Sequence, residues 1–215
     1  MSHIKYIIAN FLLLKKFYVK IVRNKGGHMI ITITGMPCSG KSSIAKMIAE
    51  KHGFRRIGVG DMFKDEAKSR GLSAEEFNAL CMKDPSYDFF IDNKTAELGK
   101  ELEGQKIIFD SRLAWHFVPK SYKVYVNLQD EKVLVERMLC SDREGKEKFT
   151  SAEEVKRSVL NRQRLEDERY KKIYGVDISN PRNYDLVIDS SYKTVETLAD
   201  EIWKEYQKFC EKQKA

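Results

Sequence analysis

No two of the four cysteines, Cys38, Cys81, Cys140 and Cys210, are close enough in the chain to form a C-x-x-C pair, and none falls at metal-ligand spacing. A disulfide framework is therefore not the expected basis of the fold, and a reducing cytoplasm is the natural compartment. Long apolar runs are also missing. Tyr6–Leu14 is apolar except for Asn10, but its nine residues fall short of the ~20 that a bilayer span requires. Its positive flank, Lys15 and Lys16, follows the run, and no small-x-small cleavage site comes after it, which argues against a signal peptide. Neither an internal repeat nor a long linker is visible. What remains fits a folded protein: hydrophobic residues make up 42% of the 215 and aromatics 11%, enough for a sizeable core. At ~100–200 residues per domain, a single domain is expected, with room for a small insertion.

The net charge of +7 is unevenly spread. Residues 1–28 hold Lys5, Lys15, Lys16, Lys20, Arg23 and Lys25 and no Asp or Glu. Setting those six aside from the 39 basic residues leaves 33 against 32 acidic ones, so no polyanion-binding surface is implied in the body of the chain. Three readings of this extension stand: an amphipathic segment on a membrane surface, a disordered tail, or a start codon assigned too early. The third is preferred. Lys25-Gly26-Gly27-His28 can be encoded by AAA-GGA-GGT-CAY, which contains the purine-rich ribosome-binding sequence GGAGGT, and Met29 follows at once. The domain is accordingly expected to span residues 29–215. A lipid-bound basic N-terminus is the membrane-tethered alternative.

Five apolar runs read as strands: Met29–Thr34, Phe54–Val59, Lys106–Asp110, Tyr122–Leu128 and Tyr184–Asp189. Between them lie helical patterns at Gly40–His52, Asp61–Arg70, Ser73–Lys83, Tyr87–Glu103, Asp130–Cys140, Ser151 to Tyr174, and Thr194–Cys210. Ser73-x-x-Glu76 and Ser151-x-x-Glu154 are capping boxes. Strands alternating with helices imply an α/β fold, a five-stranded parallel sheet with helices on both faces. Arg143–Phe149 is charged, contains Gly145 and is expected to be a mobile loop.

Gly35-Met36-Pro37-Cys38-Ser39-Gly40-Lys41-Ser42 matches G-x-x-x-x-G-K-[ST], between a buried strand and a helix as that motif requires. Backbone N–H groups of Gly35, Pro37–Gly40 and the Ser42-Ser43 turn are placed to surround phosphate, proline apart, and the positive end of the helix adds to the attraction. Lys41 is expected to reach the β- and γ-phosphates of ATP, and the Ser42 hydroxyl to ligate Mg²⁺. Asp110 ends a strand, where a carboxylate can hold Mg²⁺ opposite Ser42 or, alternatively, cap the next helix. Arg112 faces the same crevice and can clamp an acceptor phosphate; the alternative is a surface arginine. Arg162, Glu166 and Arg169 fall at i, i+4 and i+7 on one helix face. The two arginines can bracket a phosphoryl group in transfer with Glu166 orienting them, or the face can be a solvated, salt-bridged one. Cys38 reads as a small loop side chain or an oxidation-sensitive thiol, and Trp115 as core.

With these motifs in place, the chain resembles the nucleoside monophosphate kinases of the P-loop NTPase fold, and most closely the archaeal-type cytidylate kinases. The resemblance runs from about Met29 to the final helix. It rests on the phosphate loop, Gly58-Val59-Gly60-Asp61-Met62-Phe63-Lys64, Ile107-Ile108-Phe109-Asp110-Ser111-Arg112-Leu113-Ala114, and Arg162 to Tyr170 followed by Tyr174-Gly175-Val176-Asp177-Ile178. It implies transfer of the γ-phosphoryl group of ATP to a monophosphate, a helical segment for the acceptor, and a short lid at Arg143–Phe149. Asp61, Lys64, Arg112, Arg162 and Glu166 are then expected at the acceptor, and Lys41, Arg143, Arg162 and Arg169 at the phosphoryl group. No zinc is expected in the lid. The chain departs from the family pattern at Lys64 (an arginine there), at Ser111 and Trp115 (glycines) and at Leu165 (often serine). These departures fall in the acceptor site, so they bear on the base more than on the reaction type: CMP or dCMP is the leading acceptor, and AMP or another nucleotide the alternative. A P-loop switch without an acceptor is the rival from another class. The expected partners are small-molecule nucleotides, with neither nucleic acid nor membrane, and the expected state is a monomer.

Overall fold

Six consecutive buried residues, Ile30–Gly35, form strand β1 at the centre of a five-stranded sheet. The computed structural model describes residues 30–84, 86–140 and 151–213; the side chains at 74, 75, 78, 79, 82, 88 and 162 lie outside that description. The N-terminal extension and the expected lid, Arg143–Phe149, therefore lie outside the described residues. After β1 come α1 (Lys41–His52), β2 (Arg55–Gly58), α2 (Val59–Ser69), α3 (Ala74–Lys83), α4 (Ser86–Glu101) and β3 (Ile107–Asp110). The single-turn α5 (Ala114–Phe117), β4 (Tyr122–Asn127), α6 (Glu131–Leu139), α7 (Ala152–Tyr174), a 3-10 turn (Pro181–Asn183), β5 (Leu186–Asp189) and α8 (Val195–Lys212) follow.

All strands are parallel, in the order β2-β3-β1-β4-β5. Alternation along β1 divides the core. Ile31 and Ile33 join Ile108, Val124 and Val126 under Ile44 and Ile48 of α1 and Leu198 and Ile202 of α8. Ile30 joins Ile57, Ile107 and Phe109 on the other face, against Leu98, Leu102, Ala114 and Val118. A fully buried isoleucine contributes about 2 kcal/mol or more, so this central strand anchors both layers. The polar residues of β1 are satisfied: Thr32 Oγ1 lies 3.2 Å from Ser121 Oγ, and Thr34 Oγ1 donates to the carbonyl oxygens of Ser111 and Arg112.

The Ser73–Glu76 capping box forms with both of its bonds, while at Ser151 the side-chain bond is seen, its Oγ accepting from Glu154 N at 3.1 Å. Two elements go beyond the sequence reading. α5 has four residues, too few for a periodic signal, and is capped by Ser111 Oγ, which accepts from Leu113 N and Ala114 N. α2 starts at Val59 rather than Asp61, which places Asp61 in its first turn, where a carboxylate complements the helix dipole. Among the described residues no helix is long and apolar enough to cross a membrane.

Two histidines are embedded in this frame. His52 stacks on Trp203 at 3.8 Å, and its Nε2 is buried without a hydrogen-bond partner. His116 packs on Phe117 and Tyr174. Burial holds both below the ordinary value of 6.5. The unfolded chain therefore binds more protons than the folded one in mildly acidic solution. Their stabilising contribution should be complete above about pH 6.5 and decline as pH falls through the lower, folded values. The melting temperature is expected to be flat from pH 8 to 7 and to drop towards pH 5, with a shallower drop for His52→Phe, which keeps the stack. An unchanged slope in that variant would remove His52 from this account.

Candidate active site

The C-terminal ends of β1, β2, β3 and β4 converge, with Gly35 beside Val126 and both Ile33 and Gly58 beside Asp110. The phosphate loop springs from this edge. A Cβ at Gly35 would lie 2.1 Å from Val126 O, so no side chain fits where the loop turns away. Gly40 caps α1 with φ 82, and no side chain caps that helix. The first turn of α1 carries no acidic residue, so its N–H groups and dipole face the loop uncompensated by a carboxylate. Ser39 Oγ is buried in the loop without a hydrogen-bond partner. Ser42 and Ser43 are exposed at the helix start, and Lys41 is half-buried.

Cys38 is the only non-glycine residue with positive φ (61°) among the described residues. Its buried side chain enters an apolar cluster of Leu128, Leu134, Val155 and Val159, with Sγ 3.5 Å from Met138 Sδ. Its carbonyl oxygen faces Arg137 Nη1 at 3.5 Å, and that guanidinium also donates to Ser190 Oγ and O at 3.1 and 2.6 Å. The loop is thus fastened to α6, α7 and the end of β5.

Across the crevice, Arg112 donates to Gly35 O at 2.7 Å and pairs with Glu166 at 3.1 Å. Its own carbonyl oxygen accepts from Thr34 and from Trp115 Nε1. Trp115 is buried against Tyr184, as a core residue. Asp110, with a side chain only 5% exposed, pairs with Arg56 at 2.6 Å, and Arg56 reaches Asp61 at 3.0 Å. Lys64 is exposed one turn beyond Asp61. On α7, Arg169 lies 5.1 Å from the Tyr170 ring, and burial holds the Asp167 carboxyl above its ordinary value. A cleft of about 480 Å³ runs along α7, lined by Met36, Gln163, Asp167 and Asp177 among others.

The expected site residues thus fall into two joined groups, Gly35–Arg112–Glu166 and Asp61–Asp110. Glu166 pairs with Arg112, a contact that the helical spacing does not predict and that follows from α7 passing over the end of β1 at Met36. The Arg162 side chain and all of Arg143 lie outside the described residues. Arg56 escaped the sequence reading. Its signal was a charge inside a strand of a parallel sheet, which calls for a buried partner.

A phosphate loop between the central strand and the first helix of a β2-β3-β1-β4-β5 parallel sheet defines a P-loop NTPase fold. Solved structures agree: shikimate kinase from Bacteroides thetaiotaomicron superposes with a TM-score of 0.58 at 16% identity, covering 83% of this chain and 98% of its own. The profile of the cytidylate kinase-like family matches residues 30–192. The cytidylate kinase of Methanosarcina mazei is 36% identical over 83% of this chain and 91% of its own length, and that of Methanococcoides burtonii 36% over 76% and 88%. The chain belongs to the cytidylate kinase-like family.

The strained Cys38 yields a direct test. An L-residue in the left-handed region costs about 1–2 kcal/mol, whereas glycine in a folded element ordinarily costs about 0.5–1 kcal/mol against alanine. Both Cys38→Gly and Cys38→Ala lose the thiol packing, but only alanine keeps the strain. Urea unfolding should find Cys38→Gly at least as stable as Cys38→Ala, reversing the usual order.

Proposed function

We propose that this protein transfers the γ-phosphoryl group of ATP to CMP or dCMP, giving ADP and CDP or dCDP. The observation that carries this reading is the family match across residues 30–192, which takes in the phosphate loop, the strand ends and α7 together. An oxygen of the acceptor's phosphate attacks the γ-phosphorus while the bond to the β-phosphate oxygen breaks. The protein supplies position and charge, not covalent chemistry. Gly35, Pro37, Cys38, Ser39, Gly40, Lys41, Ser42 and Ser43 form the donor site, with Lys41 on the phosphates. The buried, unpartnered Ser39 Oγ and the acid-free first turn of α1 support it.

Ser42 and Asp110 would hold Mg²⁺. Hydroxyl and carboxylate oxygens suit this hard cation. Such an ion would take one or two protein oxygens here and fill its other positions with the substrate's phosphates and water. When bound, it offsets the charge on the β- and γ-phosphate oxygens. Arg112, Glu166, Asp61 and Lys64 serve the acceptor, Arg162 serves both acceptor and phosphoryl group, and Arg169 and Arg143 act on the phosphoryl group. Two departures from the family pattern do not weigh against CMP. Ser111 caps α5 and Trp115 packs in the core, so both are accounted for by the fold. The catalytic unit is residues 29–215, acting as a cytoplasmic monomer in pyrimidine nucleotide metabolism; four free thiols support that compartment.

An ADP-release assay with CMP, dCMP, UMP, AMP and GMP tests the reading. CMP and dCMP should exceed the others in kcat/KM by about tenfold or more, the discrimination that the net worth of one hydrogen bond gives. Turnover confined to AMP would reassign the acceptor, and none with any monophosphate would overturn the kinase. Lys41→Ala should lower kcat by about 100-fold or more with an unchanged melting temperature. Arg169→Ala should lower kcat and kcat/KM together, as for an interaction made chiefly in the transition state.

A further inference from the structure

Arg56 joins two carboxylates that belong to different substrates in the reading above. Its Nη2 lies 2.6 Å from Asp110, at the end of β3, and its Nη1 lies 3.0 Å from Asp61, in the first turn of α2. The two contacts differ in kind. Asp110 is nearly inaccessible and needs a counter-charge in the folded protein, whereas the Asp61 side chain is 59% exposed and needs none. Stability therefore explains the first contact and leaves the second without a purpose. Gly58 shows that room is kept for both. Its φ of −87° suits any residue, yet a Cβ there would lie 2.2 Å from Asp61 Oδ2 and 2.9 Å from Arg56 Nη2. The absence of a side chain here leaves the space in which Arg56 meets Asp61, and a larger residue would push the ends of those two side chains aside.

We propose that Arg56 is a positioning residue for the phosphoryl transfer: its planar guanidinium fixes Asp61 at the acceptor site relative to Asp110 at the nucleotide site. The proposal rests on the function proposed above. A guanidinium suits this task because its donors form a rigid fork, so that holding one carboxylate sets the direction of the other. A lysine in its place keeps the charge beside Asp110 and loses the second prong. Arg56 acts on the acceptor only through Asp61, so the effects of changing the two residues should overlap.

The test compares the wild type with Arg56→Lys, Asp61→Asn and the double variant. The readouts are CMP binding by calorimetry without ATP or metal, steady-state kinetics with each substrate varied, and melting temperature. Arg56→Lys is expected to weaken CMP binding and raise KM for CMP by about tenfold, with KM for ATP within about threefold, as for loss of one charge-assisted contact. Asp61→Asn should match it, and the double variant should be no worse than the poorer single one. A lower melting temperature with CMP binding intact would make Arg56 merely structural and overturn the proposal, as would multiplying effects in the double variant. Should Arg56→Lys not fold, Arg56→Gln combined with Asp110→Asn removes both buried charges together. Its metal-free CMP binding should show the same loss, and wild-type affinity there overturns the proposal. A wild type that turns over no monophosphate overturns the function itself, whereas CMP turnover that Arg56→Lys leaves unchanged overturns this inference alone.

Discussion

A Cβ at Gly35 would sit 2.1 Å from the carbonyl oxygen of Val126, and the site depends on that lack of room. The central strand continues beside β4 to its last residue and then turns at once, with Met36 N donating to the same Val126 oxygen at 3.1 Å. The turn throws the loop across the strand ends and leaves Gly35 O facing the crevice, where Arg112 binds it. One close approach of two backbones therefore sets both the start of the phosphate loop and the seat of the arginine opposite it. The parallel sheet supplies the rest, since it brings β2, β3 and β4 to the same edge with Gly58, Asp110 and Asn127 as their last residues.

α7 ties the two sides of this edge together. Val155 and Val159 in its first half pack around Cys38 of the loop, while Glu166 reaches Arg112 and Tyr170 joins the cluster of Leu113, Trp115 and Tyr125. At its end, the Tyr174 hydroxyl donates to Asp92 of α4. A single 23-residue helix thus contacts the donor loop, the strand-end arginine and the helices expected around the acceptor. Its fully buried contacts are few and most of its length is charged, so its position is set by those contacts rather than by a broad apolar face.

The parts legible in the sequence were those with local causes. β1, the loop and α1 follow from an apolar run, a spaced glycine–lysine motif and an amphipathic stripe within 25 residues, and the caps of α3 and α7 from Ser-x-x-Glu. What stayed hidden depends on residues far apart in the chain. Arg56 meets Asp110 54 positions on, Arg112 meets Gly35 77 positions back, and Arg137 meets Ser190 53 positions on. The spacing of Arg162, Glu166 and Arg169 showed one helix face, whereas the pairing of Glu166 with Arg112 depends on how α7 crosses the sheet, which no helical period encodes. The departures at Ser111 and Trp115 also have local roles in the fold that no sequence period shows: Ser111 Oγ accepts from Leu113 N and Ala114 N, and Trp115 packs on Tyr184.

The ion pairs of the crevice are poor choices for stability alone. A buried pair recovers little more than the hydration its charges lose, and apolar residues of similar shape often stabilise a protein more. Arg56 with Asp110 and Arg112 with Glu166 are such pairs, each with at least one partner largely withdrawn from water. In the function proposed above, what they would supply is preorganisation. A guanidinium already held by a carboxylate and a carbonyl oxygen does not have to be ordered when phosphate arrives, and charge held in place before the reaction needs no reorganisation during it. In the function proposed above, Arg112 and Glu166 contribute position where charge is transferred, and Arg112 also satisfies the carbonyl oxygen of Gly35, so apolar residues of similar shape could replace neither contribution.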